Sequence, residues 1–248
     1  MITALKTASV LLSYPSQEIQ QALPELIELL EGGNQAKRRE IKLLTDLARD
    51  IAEGELYDMQ ERYVFLFDRT RILSLHLFEH VHGESRDRGQ AMVDLMAVYE
   101  ENGLSVGEKE LPDYLPLFLE YLATRSEAEA REMLSQTLHI IAAMRERLKK
   151  RKSIYANVFS ALETFAKSKP DQGLVDTILA RPEDDPNDLD ALDAIWEEEV
   201  VTFGGNSGEG DCGPDRLQRQ MRASQRKAPN LQNNPNTNLY KKPAGEAR

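Results

Sequence analysis

The sequence contains a single cysteine, Cys212, among its 248 residues. One thiol excludes an internal disulfide bond and any zinc site built from several thiolates. The chain also lacks a run of about 18 apolar residues, so no segment is predicted to cross a bilayer. Its N-terminus lacks a basic region followed by an apolar core, so no secretory signal is predicted. These absences favour a cytoplasmic protein without direct membrane insertion.

Several catalytic and nucleotide-binding motifs are missing as well. The chain has no glycine-rich phosphate-binding loop and no G-x-S-x-G nucleophile motif. No stretch alternates apolar and polar residues in the manner of a half-buried β-strand. Enzymes that depend on these elements are therefore excluded.

The net charge of −11 is distributed unevenly along the chain. Residues 213–248 carry eight Lys and Arg against two acids, which leaves a balance of −17 on the remainder. Such an acidic body repels phosphate backbones, so no nucleic-acid partner is expected. It suits either a partner with a basic segment or simply a well-solvated surface.

Helical periodicity runs through most of the chain, because apolar residues recur at spacings of three and four. Ser16 and Asp113 are predicted to cap helices at their N-termini, and Ser126 to cap one long helix reaching Leu148. Pro24 is expected to kink or restart its helix. The sequence predicts an all-α fold: one helical domain over residues 1–204, followed by a disordered, basic tail over 205–248 rich in Gly, Asn and Pro.

The densest group of functional side chains lies in the stretch 77–95, LFEHVHGESRDRGQAMVDL. Two histidines and several charged residues surround Gly83, which is expected to separate two helices. Such a corner is either a polar network that fixes the fold or a site. The segment His76-Leu77-Phe78-Glu79-His80 matches H-x-x-E-H, an inverted zinc-peptidase motif. In that hypothesis His76 and His80 would hold zinc on one helix face, Glu79 would be the general base, and a carboxylate elsewhere would complete the site.

Three blocks of sequence resemble the NarJ family, the assembly chaperones (delta subunits) of respiratory nitrate reductase. They are FLFDR at 65–69 together with the 77–95 stretch, ELPDYLPL at 110–117 continuing through LEYL at 119–122, and ALDAIWEEE at 191–199. The similarity covers residues 60–203 in order. The chain differs from the usual family pattern at Tyr114, where the family has His, and at His76, where it has an aliphatic residue. The second difference argues against the zinc hypothesis.

The resemblance implies an all-α fold similar to the TorD/DmsD redox-enzyme maturation chaperones. It implies that the protein binds the apo catalytic (alpha) subunit of nitrate reductase, including its N-terminal segment, so that molybdenum cofactor and iron–sulfur clusters can be inserted before membrane attachment. The proteins that deliver molybdenum cofactor are further implied partners. It also implies that the chaperone is no enzyme, has no catalytic residues, metal site or cofactor of its own, and is absent from the finished reductase.

The client groove is predicted near the corner at residues 65–88 and the helix at 113–121, because an amphipathic client helix needs apolar anchors in a groove. Nine side chains are the predicted client contacts: Phe65, Phe67, Phe78, His80, Arg86, Asp113, Tyr114, Phe118 and Tyr121. A second predicted contact surface is the segment 183–199, which holds nine acids and no base and surrounds Trp196.

Overall fold

The computed structural model describes residues 1–32, 39–82, 86–107 and 110–182, without the side chain of residue 86. Within these ranges the chain is helical and contains no β-strand, which confirms the all-α prediction. None of the helices in this part of the chain is both long and apolar enough to cross a membrane. The acidic segment 183–199, the boundary at residue 204, the tail and Cys212 lie outside the described residues.

Six helices make up the first half of the fold: α1 Ile2–Leu11, α2 Gln17–Glu31, α3 Arg39–Glu53, α4 Leu56–Tyr63, α5 Glu79–His82 and α6 Arg86–Glu101. Five follow: α7 Leu115–Ala123, α8 Glu127–Gln136, α9 Leu138–Lys150, α10 Ala156–Phe165 and α11 Gln172–Leu179. A π-turn, Val64–Asp68, continues α4, and a 3-10 turn, Arg71–Leu73, comes after it.

The core is organised around α1, which packs against α7 and also contacts α2, α3 and α10. α10 in turn packs on α3 and α9, and α11 also packs on α9. α1 carries no charged residue except Lys6, so it can be surrounded by other helices at little desolvation cost. The helices form one continuous apolar core.

Helix ends follow the local rules at two of the predicted caps. The Ser16 hydroxyl accepts the amide of Ile19 at the start of α2. Ser126 and Glu129 form a reciprocal capping box at the start of α8. Both bonds satisfy amides that have no partner within the helix.

One helix prediction was wrong, and of the two effects predicted for Pro24 the restart does not occur. The helix expected from Ser126 to Leu148 is interrupted at Thr137, whose hydroxyl donates to the carbonyl of Leu134 and so competes with regular helix geometry. α2 is not restarted at Pro24 but runs unbroken from Gln17 to Glu31. Pro24 lies on the exposed side of α2, where water can hydrate the carbonyl that loses its amide partner.

Arg147 of α9 is a buried cation that holds distant segments together. Its guanidinium donates to the carbonyl of Ile72 and to the carbonyl of Ile178, each at 2.7 Å. A buried charge is tolerated only when hydrogen bonds replace its water. Arg147 therefore fixes the 3-10 turn and α11 onto α9.

Candidate functional site

The candidate site begins at the end of α4, where the helix widens into the π-turn Val64–Asp68. The amide of Arg69 donates at 3.1 Å to the carbonyl of Val64, five residues earlier instead of four. This extra residue per turn leaves Phe67 in the core and Asp68 at the surface. π-turns of this kind are frequent at functional sites.

An isolated antiparallel bridge then joins the segment after the π-turn to the start of α7. It pairs His76 with Tyr114, and their rings lie 5.5 Å apart. The backbone amide of Leu77 donates to the carbonyl of Asp113 at 2.9 Å. The bridge thus brings together two of the sequence blocks that carry the family resemblance.

Asp113 is fully buried at this bridge and has several hydrogen-bonding neighbours. Its carboxylate accepts the backbone amide of Phe78 at 3.1 Å and lies 3.2 Å from Nδ1 of His76. A guanidinium nitrogen of Arg88 is 3.9 Å away and also donates to Glu79 at 3.0 Å. A buried carboxylate needs such partners, so these charges form a network that fixes the corner.

The predicted role of Asp113 as a helix N-cap was wrong. The N-cap residue of α7 is Tyr114, which makes no side-chain capping bond. Asp113 directs its carboxylate across to the 76–78 segment instead, because a fully buried acid gains more from several donors than from one local amide.

The histidines of the H-x-x-E-H segment do not share a helix face. α5 has only four residues, Glu79–His82, and His76 precedes it in the bridge. The ring of His80 is buried, and its Nε2 lies 2.8 Å from the carbonyl of Ser74. Burial lowers the pKa of His80 to about 4. In the described ranges, no group of three His, Cys, Asp or Glu side chains is placed to hold a metal ion.

Tyrosine side chains form the wall beside this corner. The hydroxyl of Tyr63 donates to the carbonyl of Leu12 at 2.9 Å and lies 3.2 Å from the hydroxyl of Tyr114. The hydroxyl of Tyr63 has one proton and donates it to the carbonyl of Leu12. The hydroxyl of Tyr114 is therefore the donor in the hydrogen bond between the two tyrosines. Burial raises the pKa of both hydroxyls, so both stay protonated. Tyr14 stacks edge-on against Tyr63 with centroids 5.5 Å apart.

Two neighbouring hollows open on this wall. The first, which we call the tyrosine pocket, has a volume of about 290 Å³ and is lined by Tyr14, Tyr63, Phe67, Asp68, His76 and Tyr114, among others. The second, which we call the α4 groove, has a volume of about 450 Å³ and is lined by Tyr14, Tyr57, Gln60, Val64, Phe65 and Arg69, among others. Tyr14 lines both. It is 48% exposed, and Tyr57 is 77% exposed.

Eight of the nine predicted contact residues fall into three groups. Phe65, Phe67 and Tyr114 line the two hollows, although Phe67 is almost wholly buried. Phe78 is half-buried beside the ring of His82. His80, Asp113, Phe118 and Tyr121 are buried within the corner or the core, and the side chain of Arg86 lies outside the described residues.

Sequence reasoning missed Tyr14, Tyr57 and Tyr63. Tyr14 directly precedes Pro15, and a residue before a proline indicates a helix end and not a site. Tyr57 shows no apolar periodicity with its neighbours. Its exposure on α4, which marks it as a possible contact residue, is visible only in the structure. An aromatic residue placed off the apolar face of its helix was the available signal.

The family is decided by comparison with known proteins. The family model described as nitrate reductase delta subunit matches residues 15–161, more than half of the chain. The chain belongs to this family. NarJ of Escherichia coli strain K12, a nitrate reductase molybdenum cofactor assembly chaperone, is 43% identical over 219 residues, covering 88% of this chain and 92% of that protein. NarW of the same strain is 41% identical over 225 residues, covering 91% and 94%.

The fold agrees with this assignment. A crystal structure of a redox enzyme maturation protein from Archaeoglobus fulgidus matches with a TM-score of 0.50 and 25% identity, covering 66% of this chain and 93% of that one. The family is one of assembly chaperones and not of enzymes. The predicted family and the absence of enzymatic activity are confirmed, and the zinc-hydrolase alternative is wrong.

Proposed function

We propose that this protein is a system-specific chaperone for the apo catalytic subunit of nitrate reductase. In this proposal it binds that subunit, including the N-terminal segment, in the cytoplasm. It keeps the subunit accessible for insertion of molybdenum cofactor and iron–sulfur clusters before membrane attachment. The names of its relatives support the assembly role, since NarJ is a chaperone of nitrate reductase molybdenum cofactor assembly. Binding to proteins that deliver the cofactor is part of the same proposal.

The observation that carries the proposal is the exposed aromatic wall formed by the tyrosine pocket and the α4 groove. Tyr14 and Tyr57 present large apolar surfaces to solvent, and Phe65 adds a half-buried ring between them and the core. An amphipathic helix binds such a surface through a few apolar anchors. Phe65 and Tyr114 of the predicted contact set line the wall, whereas Tyr14 and Tyr57 lie outside the predicted stretches.

The expected affinity suits a partner that must later be released. Burying three apolar side chains yields roughly 5–9 kcal/mol before costs. Association and side-chain ordering remove a large part of this gain. A dissociation constant of about 1 μM corresponds to roughly 8 kcal/mol. Binding near the micromolar range therefore allows both capture and release.

The buried members of the predicted contact set have a supporting role in this proposal. Asp113 and His80 hold the 74–80 segment in place through hydrogen bonds. Phe118 and Tyr121 lie in the core face of α7. They would shape the wall without touching the client.

Copurification with the catalytic subunit tests the proposal directly. A tagged full-length chain is expressed with the apo catalytic subunit of its own nitrate reductase, and the bound fraction is measured. We expect a stoichiometric complex that dissociates once the subunit has acquired its cofactors. Molybdenum content of the subunit, produced with and without the chaperone, gives a second measurement. Failure to bind the apo subunit would contradict the proposal.

The wall itself is tested by substitution. Tyr14→Ala and Phe65→Ala should each weaken binding of a peptide from the first 20 or so residues of the catalytic subunit, by about tenfold, because each removes a buried aromatic anchor. Leu174→Ala on α11 is a matched control, since Leu174 is also exposed but lies outside the wall. Equal peptide affinity for wild type and both aromatic variants would place the binding surface elsewhere.

A further inference from the structure

The tyrosine pocket contains one carboxylate, Asp68, whose environment differs from that of the neighbouring acids. Asp68 ends the π-turn at the pocket lining, and no Lys or Arg forms an ion pair with it in the described part of the chain. Two other acids of this region do have cationic partners: Asp50 is paired with Arg62, and Glu79 with Arg88. Asp68 therefore lies exposed at the lining of an aromatic pocket, and no Lys or Arg of the described ranges is paired with it.

The surroundings of Asp68 consist mainly of aromatic rings. Tyr14, Tyr63 and Tyr114 line the same pocket, and the hydroxyl protons of Tyr63 and Tyr114 are already used on other acceptors. Burial raises the pKa of Asp68, whereas the nearby His76 lowers it. Partial desolvation without a paired cation makes an acid a favourable partner for an incoming positive charge.

The histidine on the pocket wall is engaged with a carboxylate other than Asp68. His76 lines the pocket, but its Nδ1 already lies 3.2 Å from the buried carboxylate of Asp113. Arg62 is committed to Asp50 and lies over the ring of Tyr155 with 5.3 Å between its guanidinium carbon and the centroid. Both groups are thus engaged with other carboxylates, although His76 is close enough to lower the pKa of Asp68.

We propose that the tyrosine pocket binds the side chain of a lysine or arginine from the client segment, with Asp68 as its ion-pair partner and the tyrosine rings as its walls. The inference rests on the proposed client function and specifies its chemistry. A cation over a tyrosine face gains a favourable electrostatic contact that a neutral or anionic side chain lacks. The α4 groove shares Tyr14 with the pocket, and its lining includes Phe65 and Val64 as well as the charged Glu61 and Arg69; Phe65 and Val64 would contact a neighbouring apolar side chain of the same segment.

The test measures binding of an N-terminal peptide of the catalytic subunit to the full-length chain by calorimetry. Asp68→Asn should weaken binding by about fivefold to tenfold, since a partly desolvated charge pair loses one partner. It should also reduce the dependence of affinity on salt. Asp58→Asn is the matched control, because Asp58 is an exposed acid of α4 outside both hollows. It should leave affinity unchanged.

Peptide variants identify the cation. Each Arg of the peptide is replaced by citrulline and each Lys by norleucine, one at a time. One replacement should lower the binding affinity by the same factor as Asp68→Asn. Tested against the Asp68→Asn variant, that replacement should lower the affinity no further. Asp68→Lys should bind best to a peptide carrying Glu at that position.

The outcomes separate this inference from the proposed function. If wild type binds neither the subunit nor the peptide, the proposed function fails. If wild type binds but Asp68→Asn binds equally well with the same salt dependence, only the cation pocket is overturned. Additive losses from Asp68→Asn and from every peptide replacement would also overturn it.

Discussion

The carboxylate of Asp113 accepts a hydrogen bond from the backbone amide of Phe78, 35 residues earlier in the chain, at 3.1 Å. The amide of Leu77 donates to the backbone carbonyl of the same aspartate at 2.9 Å. One residue therefore anchors the irregular segment between the π-turn and α5 through both its side chain and its main chain. The wall of the tyrosine pocket depends on that segment, since His76 belongs to both.

Replacing Asp113 should destabilise the fold substantially. Asp113→Ala leaves the Phe78 amide without its partner and Arg88 with one acid fewer, at an expected cost of about 3–4 kcal/mol in the free energy of unfolding. Asp113→Asn keeps one acceptor oxygen and should cost less. Urea unfolding measures both, and Asp94→Ala on the exposed face of α6 should stay within about 0.5 kcal/mol of wild type. A similar stability for Asp113→Ala and wild type would contradict this role.

The buried ring of His80 should make stability depend on pH. Burial lowers its pKa in the folded state from 6.5 to about 4, so the unfolded chain takes up a proton at higher pH than the folded one. The free energy of unfolding should therefore fall as the pH drops from about 6.5 to 4, by up to roughly 3 kcal/mol from this group. Above pH 6.5 this contribution should be fully present.

His80→Gln isolates that contribution, because glutamine does not titrate. The stability difference between wild type and His80→Gln should shrink as the pH falls through this window. Ile141→Val, which removes a core methyl but no titratable group, should keep the pH dependence of wild type. A constant difference between wild type and His80→Gln from pH 7.5 to pH 4.5 would show that His80 is not responsible.

Arg147→Met should release two segments at once. Methionine has an adaptable apolar side chain but no donor, so the carbonyls of Ile72 and Ile178 would lose their partner. We expect a loss of about 2–4 kcal/mol, together with faster amide hydrogen exchange in α11. Lys149→Met, on the same helix but half-exposed, is the control and should have little effect. Unchanged exchange in α11 would mean that α11 is held by its apolar contacts alone.

The acidic segment 183–199 remains a predicted second contact for a basic client terminus. Reversing Glu197 and Glu198 to Lys should lower affinity for the client peptide at low salt, and the difference should diminish as exposed charges are screened. Fold stability should barely change, because isolated surface charges contribute little. Titrations at low and high salt decide the question. Identical affinities for the wild type and the double reversal would leave the aromatic wall as the sole recognition element.

Much of the fold was predictable because helices carry their own signals. Apolar spacing located most helices, and Ser16 and Ser126 cap them as their local sequence indicates. The role of Asp113 was not predictable, because the local rule offered a good N-cap while the actual partners lie 35 and 37 residues away. Long-range partners of that kind leave no periodic trace in a single sequence.

The hollows contain only part of the predicted contact set, whose role in client binding stays a prediction. The corner near Phe65 and Tyr114 was expected, and both residues line the hollows. Aromatic residue type alone could not separate Phe118, which is buried, from Tyr57, which is exposed. That distinction depends on which helix face meets a neighbour. α7 packs against α1 and α8, and Phe118 is among its buried residues.

The π-turn makes the pocket sensitive to chain length as well as to residue identity. Deleting one residue within Val64–Asp68 would let α4 continue as a regular helix, and every later side chain of that turn would rotate by about 100°. Phe67 would then no longer point into the core, and Asp68 would no longer keep its position at the surface, although no residue of the wall had been substituted. Under the proposed function, a single codon lost or gained at this turn would therefore alter the surface that meets the client.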